Sequence, residues 1–197
     1  MKFNKIAIAG AGGIGSNLVA ILFDYGFNRK QFDYASLDID VYDDDVVDVK
    51  NLLHQNFKAD DVGKHKVKIL EDKYVVNGIT SRMKDEDFEK YDLVFSCVDN
   101  MPFRKKLYEY CWNKSQKLQW IDGRCTSRQG AIFNNNIPAD TLKNYLSDSV
   151  DEGGCLLEYE KQNNISHTIP LIVAGMMAQA FLNKLRGQPT HKMIFMV

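Results

Sequence analysis

The chain opens as an alternation of short apolar runs and longer amphipathic stretches. Lys5–Ala9 (KIAIA) reads as a buried strand. Ser16–Tyr25 places Leu18, Val19, Ile21 and Leu22 on a helix face. Ser36–Tyr42 alternates, with Leu37, Ile39 and Val41 on one side, and predicts a second strand. Lys64–Tyr74 is helical, its stripe made by Val67, Leu70 and Tyr74. Ile79–Arg82 predicts a short strand and Leu93–Cys97 (LVFSC) a buried one. Pro102–Asn113 predicts a helix with proline near its first turn, and Leu118–Ile121 a further strand. This order predicts an α/β fold: a Rossmann-like, doubly wound, mostly parallel sheet with helices on both faces.

The pattern changes after Gly123. Ala131–Asn134 reads as an antiparallel strand, Ala139–Leu146 as a helix and Asp151–Gly154 (DEGG) as a loop. Ile169–Leu185 is a strongly apolar helix ended by Gly187 and Pro189. Met193–Val197 is a final strand. The expectation is one domain over residues 1–197, with a nucleotide-binding half at 1–122 and a C-terminal antiparallel extension at 123–197. The apolar stretch from Ile169 to Leu182 is broken by Gln179 and is too short to span a bilayer.

Composition narrows the class. The 197 residues are 45% hydrophobic and 26% charged, which is ordinary for a globular chain. A net charge of −1 gives no general attraction to nucleic acid or to an anionic membrane. Cys97, Cys111, Cys125 and Cys155 form no C-x-x-C pair, and no signal peptide is expected before the first strand. The sequence therefore predicts a reduced, cytoplasmic protein without a cysteine-paired zinc site.

The candidate chemistry starts at AIAGAGGIGSNL. Gly10, Gly12 and Gly15 fit G-x-G-x-x-G directly after a strand and before a helix. Such a loop turns tightly, approaches a phosphate closely and aims helix N–H groups at it. Asp43 follows the second strand, where an acid reaches ribose hydroxyls; Asp38 and Asp40 are the alternatives if the strand ends earlier. Asn51, His54 and Gln55 come next, then Lys64 and Lys66. An Asn or a Lys beside a phosphate loop can hold phosphate oxygens. Asp99 lies just past a buried strand, at the edge where open sheets bind ligands. It suits Mg²⁺, unless it caps the next helix, a task that Asn100 could also perform.

Taken in order, these pieces are G-x-G-G-x-G at Gly10–Gly15, D-x-D-x-V at Asp43–Val47, N-L-x-x-Q at Asn51–Gln55, D-V-G-x-x-K-V at Asp61–Val67 and V-D-N-x-x-x-R at Val98–Arg104. The set resembles the ThiF/MoeB-type adenylyltransferases, relatives of the ubiquitin-activating enzymes. The Pro170–Gly187 segment resembles that family's late helix. The resemblance implies Mg²⁺ and ATP as ligands, and AMP transfer to the C-terminal carboxylate of a small ubiquitin-fold protein or peptide. It implies a homodimer as well. Gly10, Gly12, Gly13 and Gly15 would form the phosphate loop, with Asp43 and Asp45 at the ribose region and Gln55 beside the nucleotide. Asn51 and Lys66 would contact phosphates and Asp99 would organise Mg²⁺.

Departures from the family pattern are specific. His54 stands where the family has Arg. An N-terminal arginine segment and paired C-x-x-C motifs are expected to be missing, and residues are inserted within Phe27–Tyr42. Arg124 or Arg128 could compensate for lost charge. Cys155 and His167 are expected to be structural. Two other classes bear on the same residues. One is a degenerate nucleotide- or partner-binding regulator, which His54 favours. The other is an NAD-dependent oxidoreductase, which the glycine loop alone permits but in which N-L-x-x-Q and D-V-G-x-x-K-V have no role.

Overall fold

The structure, a computed structural model, describes residues 2–27, 37–114, 117–138, 140–142, 168–191 and 193–196. Its strands are β1 (Lys5–Ala9), β2 (Asp38–Tyr42), β3 (Asn77–Ile79), β4 (Leu93–Ser96), β5 (Gln119–Cys125), β6 (Gln129–Asn134) and β7 (Met193–Met196). The longer helices are α1 (Gly13–Ile21), α2 (Lys66–Lys73), α3 (Met101–Asn113) and α4 (Ile169–Leu185). All seven strands form one sheet, in the order β3-β2-β1-β4-β5-β6-β7. The first five are parallel and the last two antiparallel. This is the Rossmann-like architecture expected from the alternation. The strand order reverses between β1 and β4, so the cleft at the C-terminal strand ends lies there.

Two apolar layers sandwich the sheet. Ile6 and Ile8 of β1 face α1, α2 and α4, where Leu18, Leu70, Val173 and Phe181 are buried. Ala7 and Ala9 face the other way, against Leu107, Tyr108, Phe88 and Trp120. The strands are therefore apolar on both faces, as a covered parallel sheet requires. That condition reaches β2: Asp40 and Tyr42, on the side opposite Ile39 and Val41, are buried too. Asp40 is accommodated by Lys5 at 3.1 Å, Tyr91 at 2.6 Å and Asn77 at 2.8 Å.

Several boundaries move for local reasons. α1 starts at Gly13 rather than Ser16, because the glycine loop winds straight into the helix, and it ends in a π turn over Leu22–Phe27. α2 starts at Lys66 rather than Lys64. The backbone of Lys64 accepts from Val47 N at 2.9 Å, and His65 bridges Val46, which keeps His65 extended and both residues out of the helix. The third strand lies at Asn77–Ile79, leaving Arg82 beyond its end. β1 and α4 keep their predicted bounds. Most of the helix expected at Ala139–Leu146, the Asp151–Gly154 loop, Cys155 and His167 lie outside the described residues. Among the described residues, no helix is long and apolar enough to cross a membrane.

Candidate nucleotide site

The glycine loop is shaped by two contacts. Gly10 has φ +93°, and a Cβ there would sit 2.9 Å from the Cys97 carbonyl. A Cβ at Gly15 would lie 1.9 Å from the Gly10 carbonyl oxygen, so α1 can start this close to β1 only with glycine at that position. Gly12 is different. Among the described residues, a Cβ on it would meet nothing within 4 Å, and the position opens into the cleft. Among the described residues, no side chain caps α1, so its first N–H groups and positive dipole end suit an anion.

Around this loop lies a cleft of about 840 Å³ along the C-terminal strand ends. Asp43 leaves β2 on its floor. One carboxylate oxygen accepts from Ala11 N at 2.6 Å and the other from Asp45 N at 2.9 Å. Burial raises the Asp43 pKa, although the Ala11 N–H favours the charged form. Asp44 pairs with Arg82 at 3.0 Å and Asp45 with Lys66 at 2.8 Å. The three carboxylates lie close enough together to share an ion, but each is already engaged by a cation or by backbone N–H groups.

The wall nearest α1 carries the N-L-x-x-Q segment, a short 3₁₀ turn at Val49–Leu53. Asn51 is buried and accepts from Asp48 N at 2.8 Å. His54 and Pro170 both pack beside Gly13: a Cβ on Gly13 would be 3.1 Å from each of their side chains. Gln55 Oε1 is buried with no hydrogen-bond partner among the described residues, an acceptor suited to a ligand's donor group. Lys66 lines the cleft and is buried, while Lys64 is exposed and lies away from it.

Asp99 and Asn100 divide the roles left open for them. Asn100 caps α3, accepting from Phe103 N at 2.9 Å. Asp99 takes no part in the cap and is exposed in the cleft. Arg104, the last residue of V-D-N-x-x-x-R, turns inward. It donates to the carbonyls of Val98 and Gly123 and lies 3.1 Å from Asp122. It thereby ties the Asp99 loop to β5. Arg124 also meets Asp122, at 2.6 Å, and Tyr108 donates to the same carboxylate at 2.8 Å. Complete burial pushes Asp122 up, but the two guanidiniums win and hold its pKa below the usual carboxylate range.

The cleft thus brings together Gly10, Gly12, Gly13, Asp43, Asp45, Asn51, His54, Gln55, Lys66 and Asp99. Gly15 lies behind it as a packing residue. Asp38 and Asp40 point elsewhere, to Lys5 and Asn77. Of the two compensating arginines, Arg124 lines the cleft and Arg128 does not. The sequence reading missed Arg82, and the edge rule that selected Asp99 would have found it, since Arg82 follows the end of β3. It also missed Asp122, which no motif marks. Cys97 and Cys111 are buried free thiols, with Cys97 pushed up by burial. Cys125 is disulfide-bonded, so the expectation of fully reduced cysteines does not hold there.

The residues fit the groups expected of them. An uncapped helix end, an open position at Gly12, the Gln55 acceptor and the Lys66 ammonium suit a nucleotide's phosphates and polar groups. Asp99 is an accessible oxygen donor of the kind Mg²⁺ takes.

Comparison with known proteins bears on the fold and the family. SUMO-activating enzyme subunit 2 of Dictyostelium discoideum is 32% identical over 121 residues, which is 54% of this chain and 17% of that protein. The structure of E. coli MccB with AMPCPP and MccA superposes with a TM-score of 0.69 at 17% identity, over 98% of this chain and 61% of that one. PaaA gives a TM-score of 0.69 at 16% identity, over 98% of this chain and 61% of that one. These two show likeness of fold. The chain spans less than two thirds of each of these relatives. The ThiF family matches residues 1–195, and the chain belongs to that family.

Proposed function

We propose that this chain is an ATP-dependent adenylyltransferase, activating the C-terminal carboxylate of a small ubiquitin-fold protein or peptide as an acyl-adenylate. The observation that carries the reading is the convergence of the glycine loop, Asn51, Lys66 and Asp99 on one cleft. The names of the relatives support the acceptor class: one is a SUMO-activating enzyme subunit, and MccB is solved with MccA. In the reaction, a carboxylate oxygen bonds to the α-phosphorus while the bond to pyrophosphate breaks. The attacking group is already an anion, so no proton moves and no enzyme nucleophile is needed.

Catalysis is then positioning and charge stabilisation. The loop N–H groups and α1 bind phosphate, and Asn51, His54 and Lys66 hold its oxygens. Asp43 and Gln55 face the nucleoside side. Asp99 would hold Mg²⁺, which offsets phosphate charge when bound. Arg104 and Asp122 keep the Asp99 loop in place. Cys97 is no competing nucleophile, since burial keeps it a thiol. A homodimer belongs to the same proposal, supported by Leu171 and Ile172, which α4 leaves 45% and 41% exposed. A cytoplasmic location, where ATP is supplied, belongs to the same proposal.

Exchange of labelled pyrophosphate into ATP tests the reading. The probes are a peptide ending in Gly-Gly with a free carboxylate and the same peptide amidated. Exchange is expected with the acid only. ATP binding with no exchange for any acid would instead support a regulatory nucleotide-binding member, the reading that His54 favours. Tighter binding of NAD than of ATP would overturn the adenylyltransferase reading.

A further inference from the structure

Asp45 has a relationship to Lys66 that a ribose-side role does not explain. Lys66 donates from its backbone N to the Asp45 carbonyl at 3.1 Å and from Nζ to the Asp45 carboxylate at 2.8 Å. Both ends of one lysine are held by one aspartate. The neighbouring backbone closes around the pair: Val47 N donates to the Lys64 carbonyl and Gly63 N to that of Val47, each at 2.9 Å. Asp45 is joined in turn to the glycine loop. Its N–H donates to Asp43 at 2.9 Å, and Asp43 accepts from Ala11 N at 2.6 Å. A continuous path therefore runs from Ala11 through Asp43 and Asp45 to the Lys66 ammonium.

The burial of the two partners is unequal. The Lys66 side chain is 5% exposed and that of Asp45 60%. Little water reaches the ammonium, and among the described residues Asp45 is the one carboxylate paired with it. An ammonium has three donors, so one can stay on Asp45 while others meet a ligand. Lysine is a flexible point charge, and a fixed location has to come from its surroundings.

We infer that Asp45 is a positioning residue: it sets the Lys66 ammonium against the cleft for the phosphates and, through Asp43, ties that location to the glycine loop. The inference rests on the nucleotide reading above. It makes Asp45 act on the phosphate tail of ATP and leave the nucleoside alone.

The test is a double-mutant cycle read with two ligands. Calorimetry with ATP and NMR titration with adenosine are run on the wild type, Asp45→Ala, Asp45→Asn, Lys66→Ala and the Asp45→Ala/Lys66→Ala double variant. Asp45→Ala is expected to weaken ATP by about tenfold, the scale of one charged hydrogen bond, and to leave adenosine within about twofold. Asp45→Asn keeps an acceptor oxygen and should recover most of the loss. In the Lys66→Ala background, Asp45→Ala should change ATP binding by less than about twofold, because coupled residues are not additive. Equal loss for ATP and adenosine would overturn the inference and return Asp45 to the ribose. So would additive effects of the two alanines.

A spectrum of the ligand-free, ¹⁵N-lysine-labelled protein provides the independent arm. The Lys66 ammonium should be protected from exchange in the wild type and in Asp45→Asn, and lose that protection in Asp45→Ala; unchanged protection would overturn the inference. Wild-type protein that binds neither ligand would overturn the nucleotide reading and the phosphate half of the inference. The lysine spectrum would then still decide whether Asp45 holds Lys66.

Discussion

Asp99 and Asn100 are adjacent in the chain and do separate things in space. Asn100 caps α3, whereas Asp99 faces the cleft. Asp99→Asn should therefore leave the unfolding midpoint unchanged and lower pyrophosphate exchange at least about a hundredfold, the scale for one preorganised electrostatic group. Asn100→Ala should cost about 1 kcal/mol of stability, the usual worth of a cap. Urea melts and exchange rates on both variants check this. Near-normal exchange by Asp99→Asn would remove it from the site. The lysine pair is resolved in the same way. Lys66→Ala should depress exchange, and Lys64→Ala should leave it near wild type, because only Lys66 lines the cleft. Equal losses would mean that the cleft wall is misassigned. At this scale part was legible, since Asp43 and Asp99 follow strand ends and Lys66 starts a helix. Arg82 was legible by the same strand-end rule, although its pairing with Asp44, 38 positions away, was not; Asp122 was not, because its partner Arg104 lies 18 positions away in the chain and is brought near only by folding.

At the scale of elements, the glycine loop makes a paired prediction. Gly15→Ala drives a Cβ into the Gly10 carbonyl at 1.9 Å, and backbone has to move. It should cost on the order of 2 kcal/mol through overpacking and should disturb nucleotide binding with it. Gly12→Ala meets no atom of the described residues within 4 Å and has φ −76°, so stability should stay within about 0.5 kcal/mol. ATP affinity should nevertheless fall, because the new methyl group occupies the approach to the loop. Thermal melts and ATP calorimetry on the two variants check this. A Gly12→Ala protein with unchanged ATP affinity would show that the phosphates do not pass there. Periodicity gave the type of the main strands and helices and the bounds of β1 and α4, but not every element end. α2 begins two residues late because His65 and Lys64 are drawn into pairing with Val46 and Val47, a competition that propensity does not contain.

Across the whole molecule, Asp122 joins β5, α3 and the Asp99 loop while fully buried. Its pKa is held below the ordinary value despite burial, by Arg104 and Arg124. The unfolded chain then binds a proton more readily than the folded one. The stabilisation is complete above about pH 4 and is lost as pH falls through the lower folded value. Asp40 shows the same direction: Tyr91, Asn77 and Lys5 outweigh its burial. Urea melts between roughly pH 2 and pH 6 should show stability falling toward acid. Asp122→Asn should lose about 3–5 kcal/mol at neutral pH, as breaking a buried ion pair does, and should show a shallower acid slope. An unchanged slope would place the acid sensitivity in other carboxylates.

The amino-acid sequence by itself determined the elements and the class of fold. Strand and helix periods follow from which residues must be buried, and that information is local. It also determined the edge on which the motifs gather, because a parallel βαβ chain delivers every loop after a strand to the same side. What only the tertiary structure decided is which side chains meet. Six aspartates between Asp38 and Asp48 look alike in sequence. In space Asp40 is a buried partner of Lys5, Asp43 holds the glycine loop, Asp44 pairs with Arg82 and Asp45 holds Lys66. Those assignments come from contacts between residues distant in the chain. They depend on strand order, register and the closing of two layers on one sheet, none of which a local pattern of apolar and polar residues encodes.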